Sequence, residues 1–139
     1  FGAVHWLRLD ERAVALAGPL LQGDMGPRAV YFLTILAVIF LTEVLSNTAV
    51  VAAFFAIAVA AARVHGMDPL YLMIGVGLAS TCAFMTPIAT PTNALAFGEM
   101  RGVSLARMLL LGLVLNLAGA LILTFWLGWV LPHIYGFSG

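Results

Sequence analysis

Polar residues fall in narrow clusters along this chain, separated by long apolar runs. Residues 29–62 are almost wholly apolar, and their strongly polar positions are Glu43 and the trio Ser46-Asn47-Thr48. A polar stretch, 63–68, follows, and then 69–98 carries no charge. Residues 99–107 are charged again, and 108–131 is an uncharged run of 24 residues. As one straight helix, 29–62 would be about 51 Å long, against a hydrocarbon core of about 30 Å. Two full spans would need about 40 residues plus a turn. The length therefore predicts a re-entrant hairpin with arms 29–42 and 49–62, each about 21 Å long. One long tilted helix with a frayed end is the alternative.

Within 69–98, Pro87 and Pro91 each remove a backbone donor and disfavour helical angles at Thr86 and Thr90. This predicts a discontinuous span: a helix over about 70–85, an unwound stretch, and a half-helix from about Asn93. Residues 108–131 suit one full transmembrane helix, with Trp126, Trp129 and Tyr135 marking its far end as an interface. On that helix Gly112, Asn116 and Gly119 share a face, read as a close-packing face with an interhelical hydrogen bond. Residues 1–28 are too polar to span. Their 9–21 stretch suits an interfacial helix with Trp6 near the headgroups, or equally the broken end of an earlier span. The expected fold class is thus an all-α membrane protein.

Composition agrees. Of the 139 residues, 63% are hydrophobic and 9% charged, against about 25% charged in a soluble domain. Mean hydropathy is +1.11, so the solvent of most of the surface is the lipid bilayer. Net charge is zero and no basic cluster offers itself to nucleic acid. A single cysteine, Cys82, excludes an internal disulfide. The chain opens on Phe1 and lacks a basic segment leading into an apolar core, so it reads as cut from a longer protein rather than as a signal peptide. Arg101 and Arg107 against Glu99 point weakly to a cytoplasmic loop.

The candidate chemistry lies in two polar breaks, 42–48 and 86–93. Irregular backbone at membrane depth is tolerated where it is buried in protein or lines a cavity. Freed carbonyls, Thr hydroxyls and an Asn side-chain oxygen are hard ligands, the chemistry of a sodium site without formal charge. Each break also precedes a helix start, with Ser46 or Asn47 and then Thr92 or Asn93 as N-caps. Helix N-termini offer partial positive charge and free N–H groups to an anion. Two such tips meeting at the midplane suit a secondary carrier with inverted repeats. Glu43 is the sole carboxyl in an embedded segment, which makes it a functional candidate by default. It fits a proton site, a structural acceptor for backbone N–H groups near the hairpin tip, or a group reaching a wet cavity. A fixed negative charge would repel an anionic substrate, which favours the structural role. His65 and His133 sit at segment ends and read as interfacial. No metal-ligand spacing, nucleophile–base pair or phosphate loop appears, so no enzyme is expected.

At these two breaks the sequence resembles the divalent anion/sodium symporter family, the carriers of dicarboxylates, citrate and sulfate. The matching text is TEVLSNTA at 42–49 and CAFMTPIATPTNALAFG at 82–98, in the order hairpin, GMDP connection at 66–69, broken span, and a last helix containing LLLGLVLNL. The resemblance covers most of 29–131. Thr81 and Ala96 depart from the family's usual Ser and Val, away from the inferred ligand positions. The Ala89-Thr90-Pro91 form looks more like the dicarboxylate and citrate branch than the sulfate branch.

The resemblance implies a connecting segment, 1–28, and a C-terminal transport-domain repeat, 29–139, made of hairpin 29–62, broken helix 69–98 and last helix 108–131. It implies substrate contacts at Ser46, Asn47, Thr48, Thr90 and Pro91. It places a sodium site on Thr42, the Leu45 carbonyl, Asn47 and the Ala89 carbonyl. The expected activity is sodium-coupled symport of a C4-dicarboxylate or citrate-like anion across a bacterial inner membrane. Expected partners are the first inverted repeat and scaffold of the same carrier, with a homodimer at full length. Proton coupling through Glu43, a sulfate-type carrier, or a non-transporting membrane assembly subunit are the alternatives.

Overall fold

The computed structural model describes residues 25–99 and 104–135, together with Gly18 and Gly102. The interfacial helix expected at 9–21, Trp6 and Arg101 lie outside the described residues. The described chain is helical throughout its ordered elements: α1 Pro27–Thr42, α2 Asn47–Val64, α3 Pro69–Ala79, α4 Pro91–Glu99, α5 Leu105–Phe125, a π-turn Trp126–Val130 and α6 Leu131–Tyr135. Two helical stretches, Asn47–Val64 and Leu105–Ile134, are long and apolar enough to cross a membrane. This is an all-α membrane protein.

Local chemistry sets most boundaries. Pro27 opens α1 at a position where its missing N–H costs nothing. The helix ends at Thr42, and a turn at Glu43–Ser46 separates it from α2, so no single rod runs through 29–62. Ser46 caps α2, its Oγ accepting from the Ala49 N–H at 3.2 Å. At the other end of α2, Gly66 takes φ +65°, and the Met67 N–H reaches back to the Ala62 carbonyl at 2.8 Å. That is a Schellman ending, which a side chain at position 66 would strain. Asp68 then caps α3, accepting from the Leu70 N–H at 2.9 Å, with Pro69 in the first turn. The GMDP stretch is therefore a complete helix stop and restart.

The core is a three-element stack with the last helix laid across it. α3 packs against both α1 and α2, and α5 against α1 and α3. Val30, Ile35, Val38 and Ile39 of α1 meet Phe54, Ala58 and Ala61 of α2, Leu72 and Val76 of α3, and Leu127 of the π-turn in one buried cluster. Gly75 lets α3 close on the last helix, since a Cβ there would stand 2.6 Å from Leu127 Cδ1. α5 buries only Gly112, Asn116 and Ala120, one stripe at a spacing of four. Its other faces expose Leu110, Leu111, Val114, Leu121 and Ile122. A polar residue inside and apolar residues outside is the pattern of a helix whose surroundings are lipid or further apolar protein.

Several boundaries differ from the sequence-based expectation. The hairpin arms run over 27–42 and 47–64 instead of 29–42 and 49–62. α3 stops at Ala79 instead of Met85. The hydroxyls of Ser80 and Thr81 donate to the carbonyls of Gly77 and Leu78, at 2.8 and 2.7 Å, and close the helix there. α4 starts at Pro91, and its cap is Thr90, whose Oγ1 accepts from the Asn93 N–H at 3.1 Å, rather than Thr92 or Asn93. The last helix runs from Leu105 to Tyr135 through the π-turn rather than over 108–131. Pro132 has no N–H to donate and its ring would crowd the Gly128 carbonyl. The wider π-turn just before it, with the Leu131 N–H bonded to the Trp126 carbonyl, relieves that conflict.

Candidate functional site

The two breaks meet, and Glu43 joins them. Its Oε1 accepts from the Met85 N–H at 2.8 Å, and its Oε2 from the Thr86 N–H at 2.9 Å. The Thr86 hydroxyl lies 2.9 Å from the Glu43 carbonyl oxygen and 3.1 Å from Oε2. The hairpin tip is thereby bonded directly to the unwound segment between α3 and α4. Glu43 is only 4% exposed, and a backbone N–H reaches each of its two carboxylate oxygens.

A second residue completes the arrangement. Asn116, fully buried on α5, donates from Nδ2 to Glu43 Oε1 at 2.6 Å and accepts at Oδ1 from the Phe84 N–H at 3.1 Å. The N–H groups of 84, 85 and 86, which no helix can satisfy, are thus all taken by Asn116 and Glu43. Asn93 serves the carbonyls: its Nδ2 lies 2.8 Å from the Ala83 oxygen and 3.1 Å from that of Thr86. Unpaired, each buried group would cost about 1–3 kcal/mol.

Gly112 stands one turn before Asn116. A Cβ there would collide with Met85 Cα and the Phe84 carbonyl oxygen, and would lie 2.7 Å from Met85 N. The face that packs α5 on α1 and α3 also meets unwound backbone at Gly112, and the Asn116 bonds run to the hairpin tip and this loop. The N–H groups that Glu43 satisfies belong to the broken span, not to its own hairpin tip.

The other expected site residues surround this hub. Thr42 is fully buried, and its hydroxyl donates to the Ile39 carbonyl at 2.8 Å, which leaves oxygen lone pairs free. Asn47 is half-buried, and its Oδ1 is a buried atom with no hydrogen-bond partner. Ser46 and Thr48 are exposed, Leu45 is partly so, and Ala89 and Thr90 are half-buried. The Ala89 N–H donates to the Thr86 carbonyl at 3.3 Å, and Pro91 occupies the first turn of α4. Among the described residues no direct hydrogen bond joins 46–48 to 89–91; the link between the breaks runs through Glu43, Met85 and Thr86. Asn116 and Gly112, which join the two breaks, are residues that sequence reasoning assigned to a close-packing face with an interhelical hydrogen bond.

Comparison with known proteins identifies a family of membrane transporters. The family model for the sodium:sulfate symporter transmembrane region matches residues 5–133. The sodium-dependent dicarboxylate transporter SdcS of Staphylococcus saprophyticus is 30% identical over 117 residues, which cover 84% of this chain and 22% of that protein. SdcS of Staphylococcus aureus is 36% identical over 95 residues, 68% of this chain and 18% of that protein. An uncharacterized transporter of Haemophilus influenzae is 39% identical over 95 residues, 65% of this chain and 20% of that protein. The chain spans about a fifth of the length of these relatives. The transporter family accords with the absence of any enzyme motif, and the chain belongs to the sodium:sulfate symporter family.

Proposed function

We propose that this chain is the C-terminal repeat of a sodium-coupled carrier for divalent organic anions, of the C4-dicarboxylate or citrate-like class. The observation that carries the reading is Asn47 Oδ1, a buried oxygen without a partner, at the tip of a hairpin whose break is bonded to the second break. A buried acceptor without a donor suits a cation. Thr42, with its hydroxyl hydrogen already given to Ile39, and the freed backbone carbonyls of Leu45 and Ala89 supply further hard oxygens of the kind sodium prefers. Ser46, Asn47, Thr48, Thr90 and Pro91 are the residues offered to the anion, beside the N-termini of α2 and α4. With no Lys or Arg in 29–62 or 69–98, the anion would depend on bound sodium for opposite charge, which couples the two.

Sodium is favoured over the proton as coupling ion because Glu43 is committed to donors on both oxygens. The non-transporting alternative requires the polar residues of both breaks to be satisfied by neighbouring helices. Ser46 and Thr90 instead cap their own helices, and Asn47 Oδ1 finds no one. The names of the SdcS relatives favour a dicarboxylate over sulfate. In the complete carrier this repeat would face an inverted first repeat and move as part of a rigid transport domain against a dimeric scaffold in the cell membrane.

The test is Asn47→Ala in the full-length carrier reconstituted in vesicles. Sodium-dependent uptake of a C4-dicarboxylate is expected to vanish while expression stays intact. Near-normal uptake would remove the site assignment. Uptake driven by a pH gradient in sodium-free buffer, and lost in Glu43→Gln, would replace sodium with the proton.

A further inference from the structure

Nothing in the coupling scheme above calls on the last helix, yet α5 sends a buried polar side chain between the two breaks. Asn116 uses both ends of its amide. The donor end holds the Glu43 carboxylate at 2.6 Å, and the acceptor end holds the Phe84 N–H at 3.1 Å. Glu43 takes the next two N–H groups, those of Met85 and Thr86. Gly112 permits the approach, because α5 lies against the Phe84–Met85 backbone where a Cβ has no room. The obstacle at that point is main chain, which cannot swing away as the end of a side chain can.

We propose that Asn116, Glu43 and Gly112 form a clamp that fixes the unwound segment 84–86 against the hairpin tip, and that all three are positioning residues for the ion site. The proposal rests on the carrier reading. Thr42 and Asn47 flank Glu43 on one break, and Ala89 to Pro91 follow Thr86 on the other. A shift of 84–86 relative to Glu43 therefore moves one group of candidate ligands against the other while touching none of them. Asparagine is the residue that this place requires. Aspartate would set a second carboxylate against Glu43, and leucine would strand both the carboxylate and the Phe84 N–H.

The experiment is a double-mutant cycle in the full-length carrier, reading initial uptake rate against sodium concentration in vesicles. Asn116→Asp is expected to raise the sodium concentration for half-maximal uptake about tenfold, in line with the loss of one buried charged hydrogen bond. The maximal rate should be largely recovered at saturating sodium, because bound ion selects the correctly set loop. Adding Glu43→Gln should bring the half-maximal concentration part of the way back: the glutamine amide can donate to Asp at 116 and ends the charge repulsion, while its nitrogen, standing in place of Oε1, leaves the Met85 N–H without an acceptor. An unchanged sodium dependence in Asn116→Asp would overturn the clamp. So would a double variant worse than either single one, which is how mere packing damage would add.

Should Asn116→Asp fail to reach the membrane, Gly112→Ala carries the test with Glu43 and Asn116 intact. It should also raise the half-maximal sodium concentration, and a normal value would overturn the proposal. Asn47→Ala, run in parallel, separates the two layers. If it abolishes uptake while the clamp variants keep normal sodium dependence, the clamp alone falls. If it leaves uptake normal, the site reading falls and takes the clamp with it.

Discussion

Asn47 Oδ1 and Thr34 Oγ1 are both buried without a partner, but their surroundings differ. Asn47 sits at a chain break beside freed backbone carbonyls. Thr34 sits inside α1 on the face that carries Val30, Ile35 and Val38. Its hydroxyl could bond a preceding carbonyl, as Thr124 does with Ala120 at 2.7 Å, but it does not. Thr34→Val keeps the shape and removes an unpaired hydroxyl, so it should be neutral or stabilise by about 1 kcal/mol. The thermal midpoint of the detergent-solubilised carrier measures this, and a clear drop would mean that the hydroxyl has a use. At this scale the embedded polar residues were visible in the sequence, but not their pairing. Glu43 and Asn116 each stood out as a strongly polar side chain in an embedded segment. They lie 73 positions apart, and no local periodicity connects them. The usable signal was economic in the physical sense: a buried carboxylate needs donors, and Asn116 is a buried amide with donors to give.

Among the elements, the clearest contrast is between two glycines at close contacts. Alanine at Gly75 would meet the flexible tip of Leu127, which can rotate away, and alanine is the better helix former by about 1 kcal/mol. Gly75→Ala should therefore change stability by less than about 1 kcal/mol. Gly112→Ala meets main chain, so it should destabilise clearly despite the same gain in propensity. Parallel unfolding curves of the two variants decide the point, and equal midpoints would show that the α5 approach is not tight. Some local boundaries were legible: Ser46 was one of two expected caps for α2, and 63–68 was expected as the link to the next apolar segment. The early end of α3 at Ala79 was not. Proline-based reasoning placed the break just ahead of Pro87. The helix yields sooner because Ser80 and Thr81 close its last turn and because Asn116 and Glu43 supply better partners for the next N–H groups.

Over the whole molecule, the all-α membrane class followed from apolar run lengths, and the break ahead of α4 from Pro87 and Pro91. What run lengths could not give was which surfaces are finished. α4 buries no residue, with Leu95 68% exposed and Ile88 just before it 79% exposed. Most of the α5 surface is likewise apolar and uncovered. These faces, with a chain that spans about a fifth of its relatives, lead to an expectation for the chain by itself. Reconstituted alone in vesicles, it should show no sodium-dependent dicarboxylate uptake. Saturable uptake from the isolated chain would mean that one repeat holds a complete pathway.

The bonds from Glu43 and Asn116 end at Thr86, and Pro87 follows at once. Ala89 and Thr90, the pair by which the sequence resembles the dicarboxylate and citrate branch, come after that proline and receive no bond from either of those side chains. Retuning what is carried is thereby insulated from holding the loop in place. A lineage could exchange Ala89-Thr90 for another pair and sample new cargo without first dismantling the mooring that Glu43 and Asn116 provide.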